Sequence, residues 1–408
     1  MHESGQRIEI AREEYRERVS RVAAMAADQG LDGILVWSRG GGTVDRYANV
    51  LYLTNYFNPW PGVLDFLPLW SGQGNAGALV TSEGECVLVT NVPQDEWRNT
   101  FVHCDAFVDD PHIHAGAARA LRDRGMEGAR IGLAAADSMT VGLYRVLLEA
   151  TPNVRWEPAD EILLEARRIK SPAEMGVIRK AVAAGDAMME AMLAAVIPGN
   201  SEADVHRAGW IAGLNHGVAL YDTPGSSGPN ATVFGPSTLP SWCERRLEEG
   251  DLWHSDMYGV WHGYLFDFSR TTVAGAPSPE QLEVLEAPVA IVEEIIASLR
   301  PGLTFAGAAA VGERARRRLA PGLSQRGGDR NKHAYPHFGH TIGLGWENLW
   351  IYPGEQRVLE PGMHVAVETS VGQPGLGFAM FEQNLLITES GVELTSRCEP
   401  RWWTRSGA

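Results

Sequence analysis

Two glutamates stand inside apolar, strand-like runs late in the chain: Glu368 in HVAVETS and Glu382 in FAMFEQNLLIT. A carboxylate in such a setting must neutralise or find a partner, because an unpaired buried charge costs several kcal/mol. Any fold for this chain has to satisfy both. The pattern also occurs upstream. HSDMYGVWHGYLFDFSRTT, residues 254–272, holds Asp256 and Asp267 eleven residues apart in an otherwise apolar and aromatic strand pair, and HFGHTIGLG places His340 just before a Gly-rich turn. Two Asp, one His and two Glu make a mostly oxygen donor set suited to Mn, Fe, Co or Zn. A bridging carboxylate in such a set allows two ions ~3.5–4 Å apart. Singly, each residue has an ordinary structural explanation, as a turn aspartate or a core histidine. Spacing alone leaves the metal reading and the structural reading open.

At 408 residues the chain is too long for one core, so at least two domains are expected. Residues 11–29 read as an amphipathic helix closed by Gly30, GILVW (33–37) as a buried strand, and GALVTSEGECVLVT (77–90) as a hairpin. This alternation of α and β through the first part is the pattern of a compact α/β domain. At Ser171, Pro172 and Glu174 the spacing predicts a capped helix start, and long helical texture follows. The boundary therefore falls near 165–172, giving domains 1–165 and 166–408. Beyond it, helices at 202–214, 278–299 and 304–319 accompany strand-like runs at 251–273, 335–343, 363–371 and 378–388, an α+β pattern.

The formal charge of −16 argues against a nucleic-acid partner, which requires clustered Lys and Arg. MHESGQRIEIAREEYRERVSR carries no apolar signal region, and no run reaches the length of a membrane span. Cys86, Cys104, Cys243 and Cys398 are scattered without ligand spacing. The expectation is a cytoplasmic protein with reduced thiols, acting on a small-molecule substrate without membrane or nucleic acid.

The ordered set Asp256, Asp267, His340, Glu368 and Glu382 resembles the metal signature of the creatinase / aminopeptidase P / prolidase family of pita-bread enzymes. RRIKSPAEMGVIRKA, SSGPNA (226–231), LEEGDLWHSD (247–256), DFSRT (267–271), GHTIGLG (339–345) and LEPGMHVAVE (359–368) fall in the family's order. The resemblance is close over about 170–395 and loose over 11–160. It implies an α+β pita-bread catalytic domain preceded by an α/β creatinase-like N-terminal domain. It also implies one or two divalent transition-metal ions (Mn, Fe, Co or Zn) on those five residues. By the same resemblance the protein is a homodimer whose N-terminal loops lie near the partner's active site, making Arg39, Arg46, Tyr56 and Trp60 candidate substrate contacts.

The departures bear on the reaction. Peptidase members usually carry a histidine after SGPNA, where this chain has Gly235. HTIGLGWEN puts Glu347 and Asn348 where a second histidine and a glutamate stand, and MFEQ replaces Arg-x-Glu-Asp. Ordinary Xaa-Pro peptidase activity is therefore in doubt. The expected reaction is metal-dependent hydrolysis of a C–N bond (amide, amidine or Xaa-Pro-like) in a small amino-acid-derived substrate. Glu347 is the expected acid/base, with His254 and His337 as further catalytic candidates. Trp346, Trp350, Tyr335 and His262 are expected to line the substrate pocket. Two alternatives stay open: a metal-dependent lyase resembling dimethylsulfoniopropionate lyase, to which WENLWIYPG is similar, and a non-catalytic pita-bread binding protein.

Overall fold

A computed structural model describes the chain except residues 1–9, 41–45, 61, 98–99, 233–234, 237–238, 324–336 and 405–408, so Tyr335 lies outside the described residues. The chain forms two compact units, Met1–Arg168 and Ile169–Ala408. No helix among the described residues is long and apolar enough to cross a membrane.

The first unit has strands β1 (Gly33–Arg39), β2 (Asn75–Thr81), β3 (Cys86–Thr90), β4 (Ala106–Asp109), β5 (Arg130–Ala134) and β6 (Arg155–Pro158). They form one mixed sheet in the order β4-β3-β2-β1-β5-β6. Its helices are α1 (Arg12–Asp28), α2 (Ala48–Thr54), α3 (Gln94–Trp97), α4 (Ile113–Arg122), α5 (Val141–Ala150) and α6 (Asp160–Arg168). Leu35, Trp37, Leu79 and Val87 from the sheet meet Ile113, Leu121, Leu143 and Leu147 from α4 and α5. β1 is buried at every position but its last, which is why GILVW reads as an unbroken apolar run. The expected hairpin over 77–90 is β2–β3. Arg39 and Trp60 are exposed. Tyr56 is not: its hydroxyl pairs with Thr90 Oγ1 at 2.7 Å inside the core, so it cannot serve as a substrate contact.

The second unit begins with α7 (Pro172–Ala194), whose capping box joins Ser171 and Glu174 as the spacing predicts. Then come α8 (Glu202–Asn215), β7 (Ala219–Asp222), β8 (Gly225–Ser227), β9 (Leu252–Trp261), β10 (Tyr264–Val273), α9 (Pro279–Ser298) and α10 (Phe305–Leu319). β11 (Gly339–Ile342), β12 (Trp346–Trp350), β13 (His364–Gln373), β14 (Gly377–Thr388) and β15 (Gly391–Leu394) complete it. One sheet runs β10-β9-β7 with β8 also paired to β9; the other runs β12-β11-β13-β14-β15.

Alternation along β13 and β14 decides what faces where. Val365, Val367 and Val371 with Ala379, Phe381, Leu385 and Ile387 pack against Val284, Leu285, Val292 and Ile295 of α9 and Phe305 of α10. Successive strand residues point to opposite faces, so Ala366, Glu368, Glu382 and Asn384 look the other way. The helices thus cover one face and leave the polar positions to meet the β9–β10 hairpin. That hairpin turns at His262 and Gly263, with φ of 47° and 86°, the two positive values of a type I′ turn. His262 is exposed at the tip, its ring against Trp261. At about 3.3 Å per residue it stands ~16 Å along the strand from Asp267. The expectation that it lines the pocket is therefore corrected.

Backbone contact requires glycine at one point. Gly339 has φ +129°, and a Cβ there would lie 2.0 Å from the Ala366 carbonyl oxygen. Its bare backbone lets β11 close on β13 and sets His340 opposite Ala366.

Candidate metal centre

The two sheets meet through their polar faces. Asp267 N–H donates to Asn384 Oδ1 at 3.2 Å, and Asn384 Nδ2 donates back to the Asp267 carbonyl. Thr271 Oγ1 bonds both the carbonyl and the amide of Met380, each at 2.9 Å. Behind β10, the fully buried Arg270 donates to the Glu382 carbonyl at 2.6 Å, to Gln383 Oε1 at 2.7 Å and to the Cys398 carbonyl at 2.9 Å. These bonds fix the backbone at Asp267 and Glu382, and so aim both carboxylates.

The side chains then converge. Asp267, His340 and Glu382 each offer a ligand atom, all three within 4.8 Å of one another, and all three residues are buried. His340 Nε2 lies 3.6 Å from Asp267 Oδ2 and 3.9 Å from Glu382 Oε1. Glu368 stands directly across from Glu382 in the β13–β14 register. Asp256 shares its face of the hairpin with Asp267, opposite Ser269. None of the strand positions on these two faces is Lys or Arg.

Charge of one sign is therefore concentrated on these two faces among the described residues, with Arg270 lying behind β10. Burial and the charge of Asp256 push the Asp267 carboxyl well above the ordinary carboxylate range. Burial, then Asp267 and Glu368, do the same to Glu382, whose Oε1 makes no hydrogen bond. Burial takes His340 down to about 4, leaving the neutral imidazole that a metal requires. An orphaned carboxylate oxygen, a neutral imidazole and mutually repelling carboxyls fit a divalent transition metal, which would let all of them ionise together.

Comparison with known proteins places both parts of the chain in families. A profile of metallopeptidase family M24 matches residues 176–389, and one of the creatinase/prolidase N-terminal domain matches residues 18–169. The chain belongs to metallopeptidase family M24. It is 26% identical over 282 residues to a Xaa-Pro dipeptidase of Pyrococcus horikoshii, covering 68% of this chain and 76% of that protein. It is 24% identical over 422 residues to an ectoine hydrolase of Halomonas elongata, covering 95% and 96%. The crystal structure of a prolidase from Pyrococcus horikoshii superposes with a TM-score of 0.75 at 19% identity, over 95% of this chain and 99% of that one. The expected fold, a pita-bread catalytic unit after a creatinase-like N-terminal domain, is the observed one. Membership of M24, with relatives named as peptidases and hydrolases, makes this an enzyme.

Around the Asp267, His340 and Glu382 cluster the other expected residues sort by strand face. Trp346 and Trp350 are at the site: Trp346 Nε1 donates to Asp267 Oδ2 at 2.5 Å, and the Trp350 ring lies 4.9 Å from that of His340. His337 is there too, its Nδ1 3.4 Å from Glu368 Oε1 and its ring 4.7 Å from Trp350. His254 shares the face of Asp256 but is wholly buried, its ring 4.7 Å from Phe378. Glu347 departs from expectation. It lies on the face of β12 away from Trp346 and Trp350, and its carboxylate receives Lys170 Nζ at 2.7 Å. With both partners buried, the pair is a structural tie and Glu347 does not reach the cluster.

Sequence reasoning passed over Asn384, His364, Tyr258 and Arg270. The first three carry a readable signal, since they stand two or four strand residues from Glu382, Glu368 and Asp256 and so share the metal face. Arg270 lies on the opposite face and carries no such signal.

Two outcomes follow from this electrostatics. Glu347→Gln removes the buried carboxylate that pairs with Lys170, lowering stability by about 3–5 kcal/mol, while turnover per folded molecule stays within about threefold, short of the ~10²-fold loss of a missing acid/base; denaturation together with kcat checks both. The second concerns pH. A carboxyl with a raised folded pKa contributes stability below its unfolded pKa and loses it as pH rises. His340 works oppositely, its contribution being complete above 6.5 and lost as pH falls towards about 4. Above that pH only the carboxyl trend remains. The melting temperature of chelator-treated protein therefore falls as pH rises above about 6.5, and the rise produced by Mn²⁺ grows in the same direction. A Mn²⁺-induced rise that is flat or shrinking with pH contradicts the assignment.

Proposed function

We propose that this protein hydrolyses a C–N bond, amide or amidine, in a small amino-acid-derived molecule, using one or two divalent transition-metal ions held by Asp256, Asp267, His340, Glu368 and Glu382. The observation that carries this is the convergence of buried Asp267, His340 and Glu382 on one point, on faces whose strand positions hold no cationic side chain. The names of its relatives, a dipeptidase and an ectoine hydrolase, lend support to hydrolysis. When bound, the metal supplies Lewis acidity and makes a water acidic enough to act near neutral pH.

The chain's own residues supply position and proton transfer. Trp346 and Asn384 hold Asp267, and Arg270 holds the backbone of Glu382. His337, half-buried against Glu368 and Trp350, is the side chain best placed to deliver a proton to the departing nitrogen. His254 packs against Phe378, which with Met380 and Ala231 forms an apolar wall where peptidases carry arginine.

That wall, and Gly235, weigh against Xaa-Pro peptides as preferred substrates. Gly235 has φ +63°, and a Cβ there would lie 2.2 Å from the Gly225 carbonyl oxygen, so the loop has no room for the peptidase histidine. In the same reading the protein is a homodimer to whose sites Arg39 and Trp60 contribute; light scattering that finds monomer alone removes that part.

The test is a turnover screen of the Mn²⁺-loaded full chain on small amides, amidines and Xaa-Pro dipeptides. At least one amide or amidine is turned over faster than every Xaa-Pro dipeptide, and His337→Asn lowers kcat by ~10²–10⁴ at unchanged metal content. Faster Xaa-Pro turnover overturns the substrate reading, and no hydrolysis of any class overturns the whole.

A further inference from the structure

The segment after β15 carries a line of buried polar contacts from α7 to the strand that bears Glu382. Arg270 is wholly buried, yet its hydrogen-bond acceptors among the described residues are all neutral. They are the carbonyls of Ser269, Glu382 and Cys398, with Gln383 Oε1 and Ser396 Oγ. A buried guanidinium without a counter-charge is costly. The charge that answers it comes through one hydroxyl. Ser396 Oγ accepts from Arg270 Nη2 at 3.2 Å and donates to Asp186 Oδ1 at 2.6 Å, so a buried serine bridges cation and carboxylate. Asp186 stands half-buried on α7 and also accepts the amides of Arg397 at 2.8 Å and Cys398 at 3.2 Å.

The same segment touches both metal strands. Thr395 N–H donates to the Asn384 carbonyl at 3.0 Å, and Gln383 Nε2 donates to the Ser396 carbonyl at 2.8 Å. Asn384 in turn holds the backbone of Asp267, and Arg270 holds the Glu382 carbonyl at 2.6 Å. Residues 395–398 therefore act as a strap. Asp186 pins it on one side, and Arg270 and Asn384 pass its position to Glu382 and Asp267 on the other.

We propose that Asp186 and Ser396 are positioning residues for the metal centre, acting on Glu382 through Arg270. Without the bridge Arg270 loses its counter-charge and its hold on the Glu382 carbonyl. The Glu382 carboxylate then no longer meets Asp267 and His340 at one point. Groups that hold metal ligands from outside typically set affinity by about 10–100-fold. This rests on the metal reading of Asp267, His340 and Glu382 and names what sustains that cluster from beyond it.

The test is calorimetric titration of Mn²⁺ into the metal-stripped full chain, with the visible spectrum of the Co²⁺-loaded protein as a second readout. Asp186→Asn keeps the shape and removes the charge, whereas Ser396→Ala removes the bridging hydroxyl. Each weakens Mn²⁺ binding at least about tenfold and shifts the Co²⁺ absorption bands. Both act through Arg270, so the double variant binds within about threefold of the weaker single one. Arg401→Ala is the control for a loosened C-terminal segment. It breaks bonds to Glu286 and Glu293 on α9, outside the strap, and leaves Mn²⁺ affinity within about threefold of the wild type. Asp186→Asn, isosteric and half-buried, decides alone if Ser396→Ala does not fold. Wild-type affinity or unshifted Co²⁺ bands in Asp186→Asn, additive losses in the double variant, or an equal loss in Arg401→Ala overturns the proposal. Amide hydrolysis by the Mn²⁺-loaded wild type, with variants that bind Mn²⁺ as it does, sinks only this inference. A wild type that takes up no Mn²⁺ sinks the metal reading and this inference with it.

Discussion

Repulsion between Asp267 and Glu382 is the constraint around which the catalytic unit is arranged. The two carboxyls come from different sheets and are both buried; burial with Asp256 and Glu368 raises the pKa of Asp267, and burial with Asp267, Glu368 and Asp256 raises that of Glu382. Left alone, such a pair would drive the sheets apart or stay protonated. The surrounding bonds resist separation: Asn384 clamps the Asp267 backbone, Thr271 clamps Met380, and Arg270 reaches under Glu382. A fully buried guanidinium is itself costly, and its donations to carbonyls and Gln383 offset that cost. The fold thus presents oxygen ligands whose strain a divalent cation relieves.

Much of this was legible in the sequence because strands have a period of two. A carboxylate in an apolar run, with valines on both sides, can only face a site or a partner, and the five candidates lie on the meeting faces of the two sheets. The capping box at Ser171 and the hairpin before Gly263 were legible for the same local reasons. Glu347 was not. A bulge between His340 and Ile342 and the turn before Trp346 set the facing of β12, and a one-residue shift inverts every side chain. Its partner Lys170 is 177 residues distant, beyond any spacing argument. His262 and Tyr56 failed for a related reason, since sequence marks a residue as polar or aromatic without giving its distance from the ligands.

Membership of M24 brings the scaffold, and the departures noted in the sequence have structural counterparts. Gly235 occupies a left-handed backbone position pressed against Gly225, so restoring a histidine would require a different loop. Met380 joins Phe378 and Ala231 in an apolar wall at one end of the metal face, while Tyr221, Tyr258 and Trp346 form an aromatic corner beside the ligands.

The central claim is that the buried carboxyls exist to hold a divalent transition metal. The most direct measurement is anomalous diffraction at the manganese edge from crystals of the full chain grown with Mn²⁺. The account predicts a peak bounded by Asp267, His340 and Glu382, lost in Asp267→Asn. A map in which manganese binds elsewhere, or leaves that point empty at saturating concentration, contradicts it.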